Sequence, residues 1–123
     1  RILIKKVSDP QRFGVVQMEG KKIISIVEKP QKPKSNFIVT GIYMFDAQVF
    51  DIIRTLKPSR RGELEITDVN SAYLKTGELY YDILEGEWTD CGTFQSLLRA
   101  NLLAAEKFSK DLKFLEWKND YTD

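Results

Sequence analysis

The chain has 123 residues, of which 42% are hydrophobic and 30% charged, and this composition is typical of a globular domain rather than a disordered segment. Nineteen basic and eighteen acidic side chains leave a net charge of +1. The overall charge is therefore too small to attract nucleic acid or a membrane surface. Histidine is absent and Cys91 is the single cysteine, which excludes imidazole catalysis and an intrachain disulfide and favours a reducing cytoplasm.

The opening of the chain predicts β-structure. Ile2–Val7 is a short β stretch that ends in the turn-forming Ser8–Pro10. Phe13–Glu19 and Lys22–Glu28 are predicted to pair as a hairpin across Gly20. Because the chain opens inside a strand, we expect it to be part of a longer protein.

Residues 36–46 form the most apolar stretch of the chain, and this pattern predicts a central strand covered on both faces. Alternation divides the side chains between one face with Phe37, Val39, Gly41, Tyr43 and Phe45 and another with Ile38, Thr40, Ile42 and Met44. A glycine inside a strand often marks a close approach of a ligand or of another backbone. We therefore expect a ligand above Gly41, between Val39 and Tyr43.

Helices and strands alternate after residue 36. The predicted elements are a helix over 47–56 with Val49, Phe50, Ile53 and Leu56 toward the core, a helix from Ile66 to Gly77 with Val69 and Tyr73, a strand over 78–84, and a helix from Thr93 to Phe108 with an apolar stripe. This order indicates one α/β domain over residues 1–110, with a mixed sheet and flanking helices, followed by a polar tail over 111–123.

Opposite charges meet at the end of the hairpin, in Glu28 and Lys29. A carboxylate can accept hydrogen bonds from sugar hydroxyls, and an ammonium can bind a phosphate. The alternative is an ordinary solvated hairpin end. Adjacent residues of a regular strand point to opposite faces, so one shared ligand requires a twist or bulge at this place.

Three further candidates each have an alternative structural role. Val39 and Tyr43 can form the floor of a sugar pocket, or they can be core residues under a helix. Arg61 can contact a phosphate, or it can be solvated in a charged loop. Asp90, before Gly92, can hold a divalent cation such as Mg²⁺, or it can cap a helix or turn.

Taken together, these stretches resemble the sugar-1-phosphate nucleotidylyltransferases, and among them the glucose-1-phosphate thymidylyltransferase branch. The matching runs are D-P-Q-R-F-G-V-V, V-E-K-P, N-F-I-V-T-G-I-Y-M-F-D, S-R-R-G-E-L-E-I-T-D and W-T-D-C-G-T. The resemblance extends from Ile2 to about Phe108. It implies a Rossmann-like nucleotidyltransferase fold whose N-terminal half, with the glycine-rich nucleotide loop, is absent from this sequence.

The resemblance also implies a reaction: glucose 1-phosphate attacks dTTP, pyrophosphate leaves, and Mg²⁺ bridges the phosphates. The implied roles are sugar contacts for Gly14 and Glu28, a phosphate contact for Lys29, a pocket wall for Val39 and Tyr43, a place near the phosphates for Arg61, and a magnesium ligand for Asp90. Lys29 and Asp90 are the expected catalytic residues. A homo-oligomer and a place in deoxysugar (rhamnose) synthesis are further expectations.

Phe13 and Cys91 stand where the family pattern leads us to expect tyrosine and threonine, and neither departure changes a charge. Without its N-terminal half we expect the piece to be inactive alone. Three alternatives stay open: a UTP-dependent or other nucleotidylyltransferase, a non-catalytic module that binds sugar phosphates, and a structural role in which the helices from Ile66 and Thr93 serve subunit contacts.

Overall fold

A five-stranded mixed sheet organises the computed structural model of the protein, which describes residues 1–108. The strands are β1 (Ile2–Lys6), β2 (Gly14–Glu19), β3 (Lys22–Glu28), β4 (Phe37–Tyr43) and β5 (Tyr81–Ile83), in the spatial order β3-β2-β4-β1-β5. Strands β1 and β5 are parallel, and the other neighbours are antiparallel. The predicted α/β class, the mixed sheet and the central position of β4 are therefore confirmed.

Three α-helices accompany the sheet in the described part of the chain: α1 (Gln48–Thr55), α2 (Ile66–Thr76) and α3 (Phe94–Phe108). A short 3₁₀ turn, Pro10–Arg12, precedes β2. The chain divides into two compact units, Arg1–Glu85 and the residues from Gly86 onward. The first unit holds the sheet with α1 and α2, and the second holds α3. The predicted polar tail over 111–123 lies outside the described residues.

The hairpin of β2 and β3 has the predicted turn. Gly20 adopts a φ of 57°, a left-handed conformation that glycine tolerates without steric cost. Gly14 pairs with Glu28 at the open end of the hairpin, so the register places these two residues side by side. The register shifts between Gln17 and Met18, so the pairing of Gly14 with Glu28 depends on this irregularity as well as on the turn.

A bulge interrupts β4 at Gly41. Ile4 pairs with Val39 and Ile2 pairs with Tyr43, so a step of four residues on β4 faces a step of two on β1. The φ of Gly41 is +89°, which is left-handed and favours glycine. The strand ends at Tyr43, and one more main-chain pair joins Met44 to Arg1, although the apolar pattern predicted a strand as far as residue 46.

The hydrophobic core lies on the face of the sheet that carries Val39. Its buried members are Ile2, Ile4, Val16, Ile23, Ile26 and Val39, and Met18, Phe37, Tyr43, Leu74, Leu79 and Tyr81 pack against them. The predicted common face of Phe37, Val39 and Tyr43 is therefore confirmed. The prediction that both faces of β4 are covered is confirmed at Ile38, which is fully buried. It is wrong further along β4, because Ile42 is 45% exposed.

The helices form where periodicity predicted them, but their apolar faces are less buried than expected. Val69 and Tyr73 of α2 are buried, whereas Ile66 is exposed. In α1, Phe50 is 63% exposed and Ile53 is exposed as well, so their predicted core positions are wrong. The stripe of α3 also has exposed members, among them Phe94, Leu98 and Leu102. Within the described residues, no helix is long and apolar enough to cross a membrane.

Candidate active site

A carboxylate is held between strand and helix at the end of β3. Thr67, in the first turn of α2, donates a hydrogen bond of 2.6 Å from its hydroxyl to Oε2 of Glu28. A Cβ atom at Gly14 would lie 3.1 Å from Thr67 Oγ1 and 3.3 Å from Glu28 Oε2. Gly14 therefore leaves the space that the hydrogen bond occupies, and the Glu28 carboxylate has a fixed orientation.

The other oxygen of this carboxylate faces a cation. Arg61 Nη1 lies 3.7 Å from Glu28 Oε1 and 3.5 Å from Glu65 Oε1, and Arg61 Nη2 lies 2.9 Å from Glu63 Oε2. The Ser59 hydroxyl donates to Glu65 Oε1 at 2.8 Å and so fixes that neighbour. Arg61 is therefore the centre of a charged network beside Glu28. A guanidinium in this position can exchange a carboxylate partner for a phosphate.

Lys29 has the only positive φ among the non-glycine residues that the structure describes, at 40°. Its main-chain N–H donates to the carbonyl oxygen of Phe13 at 3.0 Å, just beyond the end of β3. Because the chain leaves strand geometry here, strict alternation no longer fixes the relative directions of the Glu28 and Lys29 side chains. A ligand shared by the two residues stays a prediction. Within residues 1–108, no carboxylate pairs with the exposed Lys29 ammonium.

The notch at Gly41 is open. A Cβ atom built on this glycine would meet no atom within 4 Å, so the protein's own core does not fill the space. Val39 lies on the core side of the same strand, buried, and Tyr43 is half-buried at the edge of the core. Both residues therefore pack with the core, and the apolar and aromatic floor of a sugar pocket stays a prediction.

Tyr43 is the first of three aromatic rings that stack in a row. Tyr43 stacks on Phe45 with 5.6 Å between ring centroids, and Phe45 stacks on Tyr73 with 5.3 Å between them. The Tyr73 hydroxyl donates to Asp46 Oδ1 at 2.7 Å. Burial and then the negative charge of Glu28 raise the pKa of Tyr43, so its hydroxyl stays protonated and can donate a hydrogen bond.

Asp90 belongs to the second compact unit, apart in the sequence from the other candidate residues. Its Oδ2 accepts a hydrogen bond of 3.1 Å from the main-chain N–H of Gly92, shortly before α3. In the part of the chain that the structure describes, no group of three or more potential metal ligands occurs together. A magnesium ion needs only one or two carboxylates when phosphates and waters complete its shell, so the metal role of Asp90 stays a prediction.

Three of the sequence-predicted residues lie together in the structure, because Glu28 pairs with Gly14 and its Oε1 is 3.7 Å from Arg61 Nη1. Lys29, Val39, Gly41 and Tyr43 belong to the same compact unit. Sequence reasoning did not find Thr67, whose partner lies 39 residues away. The signal was available in the spacing of Thr67, Asn70 and Tyr73, three polar residues on the buried side of α2. The sequence analysis considered only the apolar positions of that helix and therefore overlooked these polar residues.

Residues 1–107 match the family model described as nucleotidyl transferase. The chain belongs to the nucleotidyl transferase family. Among curated proteins, a glucose-1-phosphate thymidylyltransferase of Xanthomonas campestris is 50% identical over 97 residues, which are 76% of this chain and 33% of the relative. A bifunctional protein GlmU of Methanococcus aeolicus is 40% identical over 119 residues, or 96% of this chain and 29% of that protein.

Solved structures of nucleotidyl transferases are similar as well. A Bacillus anthracis protein described as a glucose-1-phosphate thymidylyltransferase, in complex with sucrose, has 57% identity and a TM-score of 0.77 over 84% of this chain and 42% of that one. A UDP-glucose pyrophosphorylase complexed with UDP-glucose has 26% identity and a TM-score of 0.74 over 86% and 44%. The chain spans about a third of the length of the curated nucleotidyl transferases it matches.

Proposed function

We propose that the protein transfers a nucleotidyl group from dTTP to glucose 1-phosphate, giving dTDP-glucose and pyrophosphate, and that this chain supplies the sugar-phosphate side of the site. The observation that carries the proposal is the Glu28 carboxylate, held by Thr67 at 2.6 Å, with the Lys29 ammonium directly beside it in sequence. The similarity to glucose-1-phosphate thymidylyltransferases supports the choice of substrates.

In this proposal, acidic and basic side chains bind different parts of the substrate. Glu28 accepts hydrogen bonds from the sugar hydroxyls, while Val39 and Tyr43 form the floor under the ring and the Gly41 notch admits it. Lys29 and Arg61 neutralise the phosphate oxygens, because two phosphate-bearing reactants repel each other. The phosphate oxygen of the sugar then attacks the α-phosphorus of dTTP in line, and pyrophosphate leaves. Little acid–base chemistry is needed, so the absence of histidine is no obstacle.

A magnesium ion is part of the proposal, with Asp90 as its carboxylate ligand from this chain. The bound ion supplies further neutralisation of the phosphate charges. Asp90→Asn keeps the size of the side chain and removes its charge, so we expect a lower rate that rises again with added Mg²⁺. Unchanged activity and sugar-phosphate binding in Asp90→Asn would favour the structural role over the catalytic one.

The proposed function is tested by measuring pyrophosphate release from dTTP and glucose 1-phosphate. The protein used should be as long as the curated relatives. Lys29→Gln removes one of the two proposed phosphate-binding cations, and we expect the KM for glucose 1-phosphate to rise about tenfold, as for the loss of one charged hydrogen bond. Lys32→Gln is the matched control, since Lys32 is exposed in the same loop. No pyrophosphate from the unsubstituted protein, with retained sugar-phosphate binding, would identify a binding module instead.

A UTP-dependent reaction is the second candidate, favoured by the structural similarity to UDP-glucose pyrophosphorylase. We assign no residue of this chain to binding of the nucleotide base. Initial rates with dTTP and UTP at equal concentration distinguish the two reactions, because the true substrate has the larger kcat/KM.

We further propose that the protein is a homo-oligomer in the cytoplasm and supplies deoxysugar synthesis. The lone, exposed Cys91 fits a reducing compartment. Sedimentation of the protein tests the oligomeric state, and loss of dTDP-deoxysugars in cells without the protein tests the pathway.

A further inference from the structure

A cavity of about 400 Å³ lies at the end of the sheet where β4 begins. Lys6 at the end of β1, Met18 on β2, and Phe37 at the start of β4 contribute to its wall. Gly41 follows Phe37 by four residues, which is about 13 Å along a regular strand. The cavity is therefore separate from the Gly41 notch and has no part in the reaction proposed above.

Two cations border this cavity. Lys6 and Lys34 both line it, and no acidic residue does. In the described part of the chain, neither ammonium has a carboxylate partner. Two positive charges that share one concave surface repel each other, and an anion between them removes that cost. The charge pattern thus indicates an anionic ligand.

The neutral polar groups of the wall present hydrogen-bond donors. The side-chain oxygen of Gln17 accepts a bond of 3.4 Å from the Ser25 hydroxyl, which leaves the NH₂ group of Gln17 to donate. Ser35 Oγ accepts a bond of 2.9 Å from the main-chain N–H of Phe37, which leaves the Ser35 hydroxyl proton to donate. Donors and cations together suit an acceptor-only group, and a phosphate is such a group.

Apolar side chains complete the wall. Met18 and Phe37 are only partly buried, and both pack against the hydrophobic core, which holds them in place. The volume lies within the range of small-ligand sites, and it exceeds what a bare phosphate fills. We infer that this cavity binds a small phosphorylated ligand, with the phosphate on Lys6 and Lys34 and a ring or other apolar part against Phe37.

The test is calorimetric titration of the protein with two probes, inorganic phosphate and thymidine 5′-monophosphate. We expect Lys6→Gln and Lys34→Gln each to weaken binding about tenfold, as expected for the loss of one charged contact. Lys32→Gln makes the same charge change in the same loop without lining the cavity, and we expect less than a twofold effect. Equal effects of all three substitutions, or no binding of either probe, would overturn the inference.

The two probes separate the phosphate contact from the ring contact. Tighter binding of the monophosphate than of phosphate, lost in Phe37→Ala, supports a ring-bearing ligand. Equal binding of the two probes supports the phosphate contact and overturns the ring contact. Lys29→Gln should leave this binding unchanged and Lys34→Gln should leave nucleotidyl transfer unchanged, so this inference and the proposed function fail separately.

Discussion

Thr67 donates a hydrogen bond of 2.6 Å to Oε2 of Glu28, and this bond joins the first turn of α2 to the end of β3. The helix is itself anchored by the buried Val69 and Tyr73. The carboxylate orientation is therefore set by the core on which α2 packs. A substitution at Thr67 should reach the proposed sugar site through Glu28.

Thr67→Val removes the hydroxyl and keeps the shape of the side chain. A partly buried carboxylate oxygen then loses its donor, which should cost about 1–3 kcal/mol of unfolding free energy. The KM for glucose 1-phosphate should rise as Glu28 moves, and Thr67→Ser should retain most of both properties. Urea unfolding and steady-state kinetics measure the two effects. A Thr67→Val protein with the original KM would show that the bond serves stability alone.

Gly14→Ala places a methyl group against the same hydrogen bond, 3.1 Å from Thr67 Oγ1 and 3.3 Å from Glu28 Oε2. Both oxygens must move to accommodate it, so the bond should lengthen or break. The effects of Gly14→Ala and Thr67→Val should then be non-additive, with a coupling of about 0.5–3 kcal/mol in a double-mutant cycle of unfolding free energies. Additive effects would contradict a shared target.

Gly41→Ala tests the notch on β4. A Cβ atom meets nothing at this position, so the cost comes from the left-handed φ of +89° and should be about 1–2 kcal/mol of unfolding free energy. Gly20→Ala in the hairpin turn, also at positive φ with open space, is the matched control. Both variants should be less stable, and only Gly41→Ala should bind glucose 1-phosphate more weakly. Equal affinities would place the sugar elsewhere.

Ionisation of Tyr73 makes the free energy of unfolding depend on pH in the alkaline range. Burial, with the hydrogen bond to Asp46, raises the pKa of Tyr73 from 10.0 to about 12. The folded state favours the protonated hydroxyl, so this contribution is fully present below pH 10 and is lost as pH rises toward 12. Unfolding free energies from pH 8 to 12 should fall more steeply in the original protein than in Tyr73→Phe. Parallel curves would show that Tyr73 ionises as readily as in the unfolded chain.

Features set by neighbouring residues could be predicted from the sequence. The glycine turn at Gly20 predicts the hairpin, and the apolar run over residues 36–46 places β4 in the middle of the sheet. Glu28, Val39 and Tyr43 occupy the predicted positions because each belongs to one of these strands. Gly41 marks a bulge, which depends on pairing with β1 and could not be seen from alternation alone.

Features set by distant residues could not be predicted in this way. Helical periodicity shows that a face is apolar but not what covers it, so Phe50 and Ile53 were assigned to a core that they do not reach. The bond between Thr67 and Glu28 depends on how α2 lies against β3. The strand was expected to end at Glu28, but the left-handed backbone of Lys29, whose main-chain N–H bonds to Phe13, was not foreseen.

The bulge in β4 also sets a length scale. Val39 and Tyr43 stand opposite two residues of β1 that are only two positions apart. Their backbones are therefore separated by about 7 Å along the sheet, rather than the roughly 13 Å of an unbroken strand. In the proposed sugar site this separation is about that of one pyranose ring, so we expect that shortening or lengthening the segment between these two residues changes which sugars fit.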